Sequence, residues 1–140
     1  IKNFHVRDGS GMKYWTCTGR KLAIITGRGG PMVERRAEEL GVHALRMGAK
    51  DKKPLFDEVL AELGVSPERT AVVGDDLTDL PLLRACGFPV AVADAAVDLL
   101  PYAAYVTQTP GGQGAAREVI EHILKSADDW STIMSRYLEG

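Results

Sequence analysis

Short apolar runs alternate along this chain with longer amphipathic stretches, and this alternation restricts the fold more than any other feature. Leu22-Ala23-Ile24-Ile25, Ala71-Val72-Val73 and Pro89-Val90-Ala91-Val92-Ala93 are continuous apolar segments. Runs of this length without polar alternation read as strands buried on both faces. Between them lie patterns with helical spacing. Val33, Ala37 and Leu40 share a stripe that starts near Pro31 and stops at Gly41. Leu55, Phe56, Val59, Leu60 and Leu63 share another, from Pro54 to Gly64. Proline just inside a start and glycine just past an end are helix boundaries. Weaker strands are expected at residues 44–47 and 105–107. Further helices are expected around Leu80, Leu83 and Cys86, over residues 95–100, and around Ala116, Ile120, Ile123 and Leu124. Strands separated by single helices predict an α/β fold with a doubly wound, Rossmann-like parallel sheet.

The ends of the chain are less regular. Phe4 and Val6 alternate with polar residues, as in a short strand. Residues 7–11 then read as a polar glycine-rich turn and residues 12–17 as a short helix. From Asp128 onward, Trp130, Ile133, Met134, Tyr137 and Leu138 form an amphipathic stripe. The expected division is a core over residues 1–125 and an amphipathic tail over residues 126–140. The chain opens at Ile1, in mid-pattern, as a fragment or a processed product would.

Charge is nearly balanced, with 17 basic and 19 acidic residues, which argues against a nucleic-acid partner. The most apolar window, residues 88–106, contains Asp94, Asp98 and two prolines and is not a membrane span. Cys17 and Cys86 lack metal-ligand spacing and read as thiols of a reducing compartment, with the cytoplasm as the expected location. His5, His43 and His122 are scattered and receive no role.

One strand ends in unusual chemistry. Val72-Val73 runs into Gly74 and then Asp75, Asp76 and Asp79, three carboxylates within five residues. The carboxyl end of a parallel strand is where such sheets bind ligands. Three acids in one strand-to-helix turn repel one another unless a cation sits among them. Hard oxygen ligands suit Mg²⁺, which takes one or two carboxylates and keeps its waters. An Asp helix cap explains one acid, Asp79 before Leu80-Pro81, and leaves Asp75 and Asp76 unexplained, which favours the metal reading.

Two further segments suit an anion. The strand over Leu22 to Ile25 feeds Thr26-Gly27-Arg28-Gly29-Gly30, a hydroxyl followed by glycines that let backbone amides approach a phosphate. Lys50, Lys52 and Lys53 stand at the entry of the Pro54 helix, the wrong end for the helix dipole, which favours cations at the C-terminus. A hydroxyl, a lysine and carboxylate-bound Mg²⁺ are the groups phosphoryl transfer asks for. The nucleophile such a reaction needs can be an aspartate.

Response-regulator receiver domains use a similar set, with the acids first; here the order is Thr26, Lys52, then acids. That order matches the haloacid dehalogenase superfamily. Residues 4–11, Ile24-Ile25-Thr26-Gly27-Arg28, Val73-Gly74-Asp75-Asp76-Leu77-Thr78-Asp79, Val90-Ala91-Val92-Ala93-Asp94-Ala95 and residues 111–118 together resemble one branch of it. This is the branch of 3-deoxy-D-manno-octulosonate 8-phosphate phosphatases and their sialic-acid-type 9-phosphate relatives. The resemblance implies a cap-less Mg²⁺-dependent phosphatase of a keto sugar acid phosphate. It implies Thr26, Lys52 and Asp79 as catalytic groups, Asp75 and Asp76 as metal ligands, and Arg7, Gly27, Arg28, Gly112 and Arg117 as substrate contacts. It further implies a homotetramer whose C-terminal segments close neighbouring sites. The branch's first motif, Asp-x-Asp-Gly-x-x-x-Thr-Asp-Gly, is absent from residues 1–140. The resemblance puts it upstream of Ile1, on a central strand, as the source of the nucleophile. These 140 residues alone are then expected to be inactive. A non-catalytic assembly module, like the C-terminal domain of animal CMP-sialic acid synthetases, and a broad-specificity phosphatase are the alternatives.

Overall fold

The computed structural model describes residues 6–139. The expected strand at Phe4 falls on residues outside these. The first described element is helix α1 (Val6–Cys17), which corrects the expected turn at residues 7–11. Gly9 and Gly11 are helical, although each costs about 1 kcal/mol there relative to alanine. Close packing accounts for Gly11, where a Cβ would stand 3.0 Å from Cα of Arg117. A Cβ on Gly9 would meet the guanidinium end of Arg36, a flexible side chain. The bare surface at Gly11 lets α1 lie against the helix that carries Arg117.

The strand–helix alternation follows the apolar pattern. β1 (Ala23–Ile25) leads to α2 (Pro31–Leu40), which buries Val33, Ala37 and Leu40 and ends in a left-handed Gly41 with φ 67°. β2 (Ala44–Arg46) follows, then α3 (Lys52–Leu63), which starts two residues before Pro54 and buries Phe56, Val59 and Leu60. β3 (Ala71–Gly74) enters a 3-10 turn at Leu77–Asp79 and then α4 (Leu80–Ala85). β4 (Phe88–Ala91) is followed by a 3-10 helix over Val97–Tyr102, two residues later than the short helix expected over residues 95–100. Pro101 lies inside that segment, and proline removes the amide that a continuing α-helix would use. β5 (Tyr105–Val106) precedes α5 (Ala115–Ser126) and α6 (Trp130–Leu138).

All the strand pairs are parallel, and they form two sheets, β1 with β2 and β3-β4-β5, in keeping with the expectation that the strand carrying the first motif is missing from the middle of the sheet. Between them lies a cavity of about 1060 Å³, lined by Ala23, Ile24 and Ile25 of β1 and Ala71, Val72 and Val73 of β3. Among the described residues, one edge of β1 and one edge of β3 have no strand partner, and both border this space. On the helical side, Phe56 and Leu60 pack with Leu82, while Leu83, Ala91 and Leu99 form a second cluster. α6 buries Ile133, which is 1 % exposed. Among the described residues, no helix is long and apolar enough to cross a membrane.

Candidate active site

Because the strands are parallel, their carboxyl ends meet at one edge, and the polar residues singled out above gather there. β3 ends at Gly74, and the next turn folds back so that Asp79 lies beneath it. A Cβ on Gly74 would stand 2.8 Å from Cβ of Asp79, so only glycine allows this approach. Asp79 is 6 % exposed. Its Oδ2 accepts the amides of Asp75 and Asp76 at 2.9 and 3.3 Å, and its Oδ1 accepts Nζ of Lys52 at 2.6 Å. Burial pushes the Asp79 carboxyl up, but the bonds from Lys52 and the Asp75 amide outweigh it and hold the group below the ordinary carboxylate range.

The three lysines at the entry of α3 divide by geometry. Lys53 pairs with Asp57 one turn on, at 2.8 Å, and Lys50 is exposed. Lys52 alone turns inward, to a side chain 10 % exposed. An ammonium at a helix N-terminus works against the dipole; the buried carboxylate of Asp79 offsets this.

Thr26 is buried at the end of β1. Its Oγ1 accepts the amide of Arg28 at 3.1 Å, which leaves the hydroxyl proton for an acceptor at the strand end. Its carbonyl accepts the amide of Ala49 at 3.0 Å, and the Arg28 carbonyl accepts that of Gly48 at 3.1 Å. The loop leading to Lys52 thus hangs from the Thr26–Arg28 turn. Gly27 faces the same loop, since a Cβ there would meet the Ala49 carbonyl at 3.3 Å. The Arg28 side chain is exposed beside it.

The acidic turn splits its duties. Oδ1 of Asp76 accepts the amide of Leu77 at 2.7 Å and caps the 3-10 turn, in a capping box with Asp79. Asp75 directly follows Gly74 at the strand end, and its carbonyl accepts the amide of Ala96 at 2.9 Å. Among the described residues no three Asp, Glu, His or Cys side chains converge on a common point. A carboxylate at a strand end suits Mg²⁺, which needs only one or two from the protein. The donor set fits that cation when further ligands join it.

The remaining residues read as substrate contacts separate. Gly112 lies in the loop before α5 with φ 73°. Arg117, in the first turn of α5, sits between aromatic rings, 5.0 Å from the Tyr14 centroid and 5.6 Å from that of Trp130. Its Nε lies 3.4 Å from a Glu121 carboxylate oxygen. The role read for the Arg7 side chain lies outside the described residues.

Three acids hold the loop beside this edge: Asp8 and Asp94, to which sequence reasoning assigned no role of their own, and Glu118, which lies in the 111–118 segment that the resemblance places at the sugar-acid pocket. Asp8 accepts the amides of Gly114 and Arg117, Asp94 that of Gly111, and Glu118 those of Gln108 and Thr109. Asp8 and Gly114 are 106 positions apart, and no local pattern announces such a contact. The position of Glu118 in the first turn of α5 was the one signal available.

A family model, haloacid dehalogenase-like hydrolase, matches residues 12–87. The chain is 46 % identical over 128 residues to 3-deoxy-D-manno-octulosonate 8-phosphate phosphatase KdsC of Yersinia pestis, covering 91 % of this chain and 68 % of that protein. It is 44 % identical over 124 residues to the KdsC of Escherichia coli K12, covering 89 % of this chain and 66 % of that one. The chain thus spans about two thirds of the length of these curated relatives. A crystal structure of 3-deoxy-D-manno-octulosonate 8-phosphate phosphatase from Moraxella catarrhalis, in complex with magnesium ion, phosphate ion and KDO, superposes with a TM-score of 0.94 at 37 % identity, covering 98 % of this chain and 79 % of that one. With the Thr26, Lys52 and Asp75–Asp79 edge in place on a parallel α/β frame, the chain belongs to the haloacid dehalogenase-like hydrolases, in their 3-deoxy-D-manno-octulosonate 8-phosphate phosphatase branch of phosphoric monoester hydrolases.

Proposed function

We propose that the protein is a Mg²⁺-dependent phosphatase of a keto sugar acid phosphate, 3-deoxy-D-manno-octulosonate 8-phosphate or a close relative. The observation that carries this reading is the buried contact between Lys52 and Asp79, 2.6 Å long. A lysine held by a buried acid at the ligand-binding edge of a parallel sheet is placed to neutralise an anion. An assembly module does not require Thr26, Lys52, Asp75 and Asp79 together at that edge, which favours the enzymatic reading.

In this reading Lys52 binds the phosphate oxygens, and Asp79 fixes its ammonium while holding the Asp75 and Asp76 amides. Thr26 donates its hydroxyl to another phosphate oxygen. Gly27 lets the backbone approach, and the exposed Arg28 faces the substrate. Asp75 and Asp76 would hold Mg²⁺ at this edge. The cation, when bound, neutralises charge on the transferring phosphoryl group.

The nucleophile is an aspartate upstream of Ile1, on a strand seated between β1 and β3. The two open edges and the cavity of about 1060 Å³ between them support this placement. Its carboxylate oxygen attacks phosphorus, the bond to the sugar oxygen breaks, and an acid protonates that oxygen. Water then cleaves the aspartyl-phosphate, releasing inorganic phosphate and regenerating the carboxylate. Homotetramer assembly belongs to the same reading. Met134, Tyr137 and Leu138, exposed on α6, support it as an apolar face for a second subunit.

The test is phosphate release by the full-length protein from 3-deoxy-D-manno-octulosonate 8-phosphate, with Mg²⁺ and with a chelator. Turnover with Mg²⁺ and none with chelator is expected. No release from this ester by a chain bearing the upstream motif refutes the reading.

A further inference from the structure

The loop from Thr107 to Gly114 is held more firmly than a connection between β5 and α5 requires. Glu118 accepts the amides of Gln108 and Thr109 at 3.0 and 3.1 Å, and the hydroxyls of Thr109 and Tyr105 at 2.6 Å each. Asp94, just past β4, accepts the Gly111 amide at 2.8 Å. Asp8, from α1 and 5 % exposed, accepts the amides of Gly114 and Arg117 at 3.3 and 3.1 Å. Acids from three elements thus grip the beginning, middle and end of one segment. Gly111, Gly112 and Gly114 would otherwise make it a pliable one.

The grip reaches the proposed phosphate site. The Asp75 carbonyl accepts the Ala96 amide at 2.9 Å, and the Val92 carbonyl accepts the Ala95 amide at 3.0 Å. The segment bearing Asp94 is therefore tied to the acidic turn on one side and to the glycine loop on the other. The spacing between the Asp75 turn and Gly111 is set by hydrogen bonds at every joint.

We propose that Asp94 and Asp8 are positioning residues for substrate choice. They hold the loop over residues 110–114 at a set distance from the Asp75 turn, as a rigid wall for the end of the substrate remote from its phosphate. Neither carboxylate touches the substrate; each acts through the loop. This inference rests on the phosphatase reading above.

The experiment is Asp94→Ala and Asp94→Asn in the full-length protein, because Asp94 is exposed and its loss leaves the core intact. Steady-state kinetics on 3-deoxy-D-manno-octulosonate 8-phosphate and on p-nitrophenyl phosphate are read beside amide hydrogen exchange at Gly111. For Asp94→Ala, KM for the sugar acid phosphate is expected to rise about tenfold with kcat within about twofold, while kcat/KM for the small ester stays within about twofold. Exchange at Gly111 accelerates. Asp94→Asn, whose amide oxygen still accepts from Gly111, restores the wild-type values. Equal losses on both esters, or faster exchange with KM unchanged, overturn the proposal. If the unmodified protein cleaves only the small ester, the sugar-acid reading has failed. The Gly111 exchange rate then decides the clamp alone: faster in Asp94→Ala sustains it, unchanged removes it.

Discussion

Lys52 and Asp79 are 27 positions apart in the chain and 2.6 Å apart in the fold, with side chains 10 % and 9 % exposed. Their contact joins the entry of α3 to the turn after β3, and the second oxygen of Asp79 holds that turn. Charge, local backbone and site geometry therefore depend on one pair.

Replacing Lys52 tests this dependence directly. Lys52→Met keeps the stem and removes the ammonium, leaving Asp79 buried without its cation. Breaking one side of a buried pair costs about 3 kcal/mol. Urea unfolding should show a loss of that order, and phosphate release in the full-length protein should fall by at least about a hundredfold. A variant that is destabilised yet fully active would strip Lys52 of its phosphate role.

Gly74→Ala probes the same turn from the backbone. The new Cβ would lie 2.8 Å from that of Asp79, so the carboxylate must move away from the amides it holds. A loss of about 1–3 kcal/mol in stability is expected, with turnover reduced more than substrate affinity. Equilibrium denaturation and a comparison of kcat with KM check both parts.

The clamp at Glu118 predicts an acid-sensitive component of stability. Burial pushes its carboxyl up, but the bonds from Thr109, Tyr105 and Gln108 bring it below the ordinary range. A carboxyl lowered in the folded state contributes stability above its unfolded pKa, and that contribution is lost as pH falls through the folded value. Wild type should exceed Glu118→Gln in thermal midpoint at pH 7, and the two curves should converge as the pH is lowered through the carboxylate range. Parallel curves would contradict the assignment.

Asp75→Asn should raise the Mg²⁺ concentration needed for half-maximal activity while leaving the fold intact. Titrating the full-length variant with Mg²⁺ after chelation measures this. An unchanged requirement would remove Asp75 from the metal shell.

Ile133→Ala asks whether α6 is part of the folded unit. Ile133 is 1 % exposed, and large-to-alanine changes at such sites cost about 2–5 kcal/mol. A loss of that size in a single cooperative transition is expected. A separate early transition would make α6 an independent appendage.

The sequence by itself determined the strand–helix alternation, the left-handed glycine stops at Gly41 and Gly64, and the gathering of Thr26, Lys52 and Asp75–Asp79 at the carboxyl ends of parallel strands. These follow from local patterns: apolar run length, helical spacing, and the direction parallel strands must share. Only the tertiary structure decided that Gly9 and Gly11 are helical. As isolated residues they read as a turn, and it is the approach of the Arg117 backbone to Gly11 that makes a helix without a side chain there the better packing. The resemblance pointed to Lys52 among the three lysines, but the physical reason it turns inward belongs to the fold, because the Asp79 carboxylate that pairs with it arrives from another element. The buried Asp8 was silent in the sequence for the same reason. Its partners lie more than a hundred positions away, and a hydrogen bond across that separation has no period, spacing or composition to announce it.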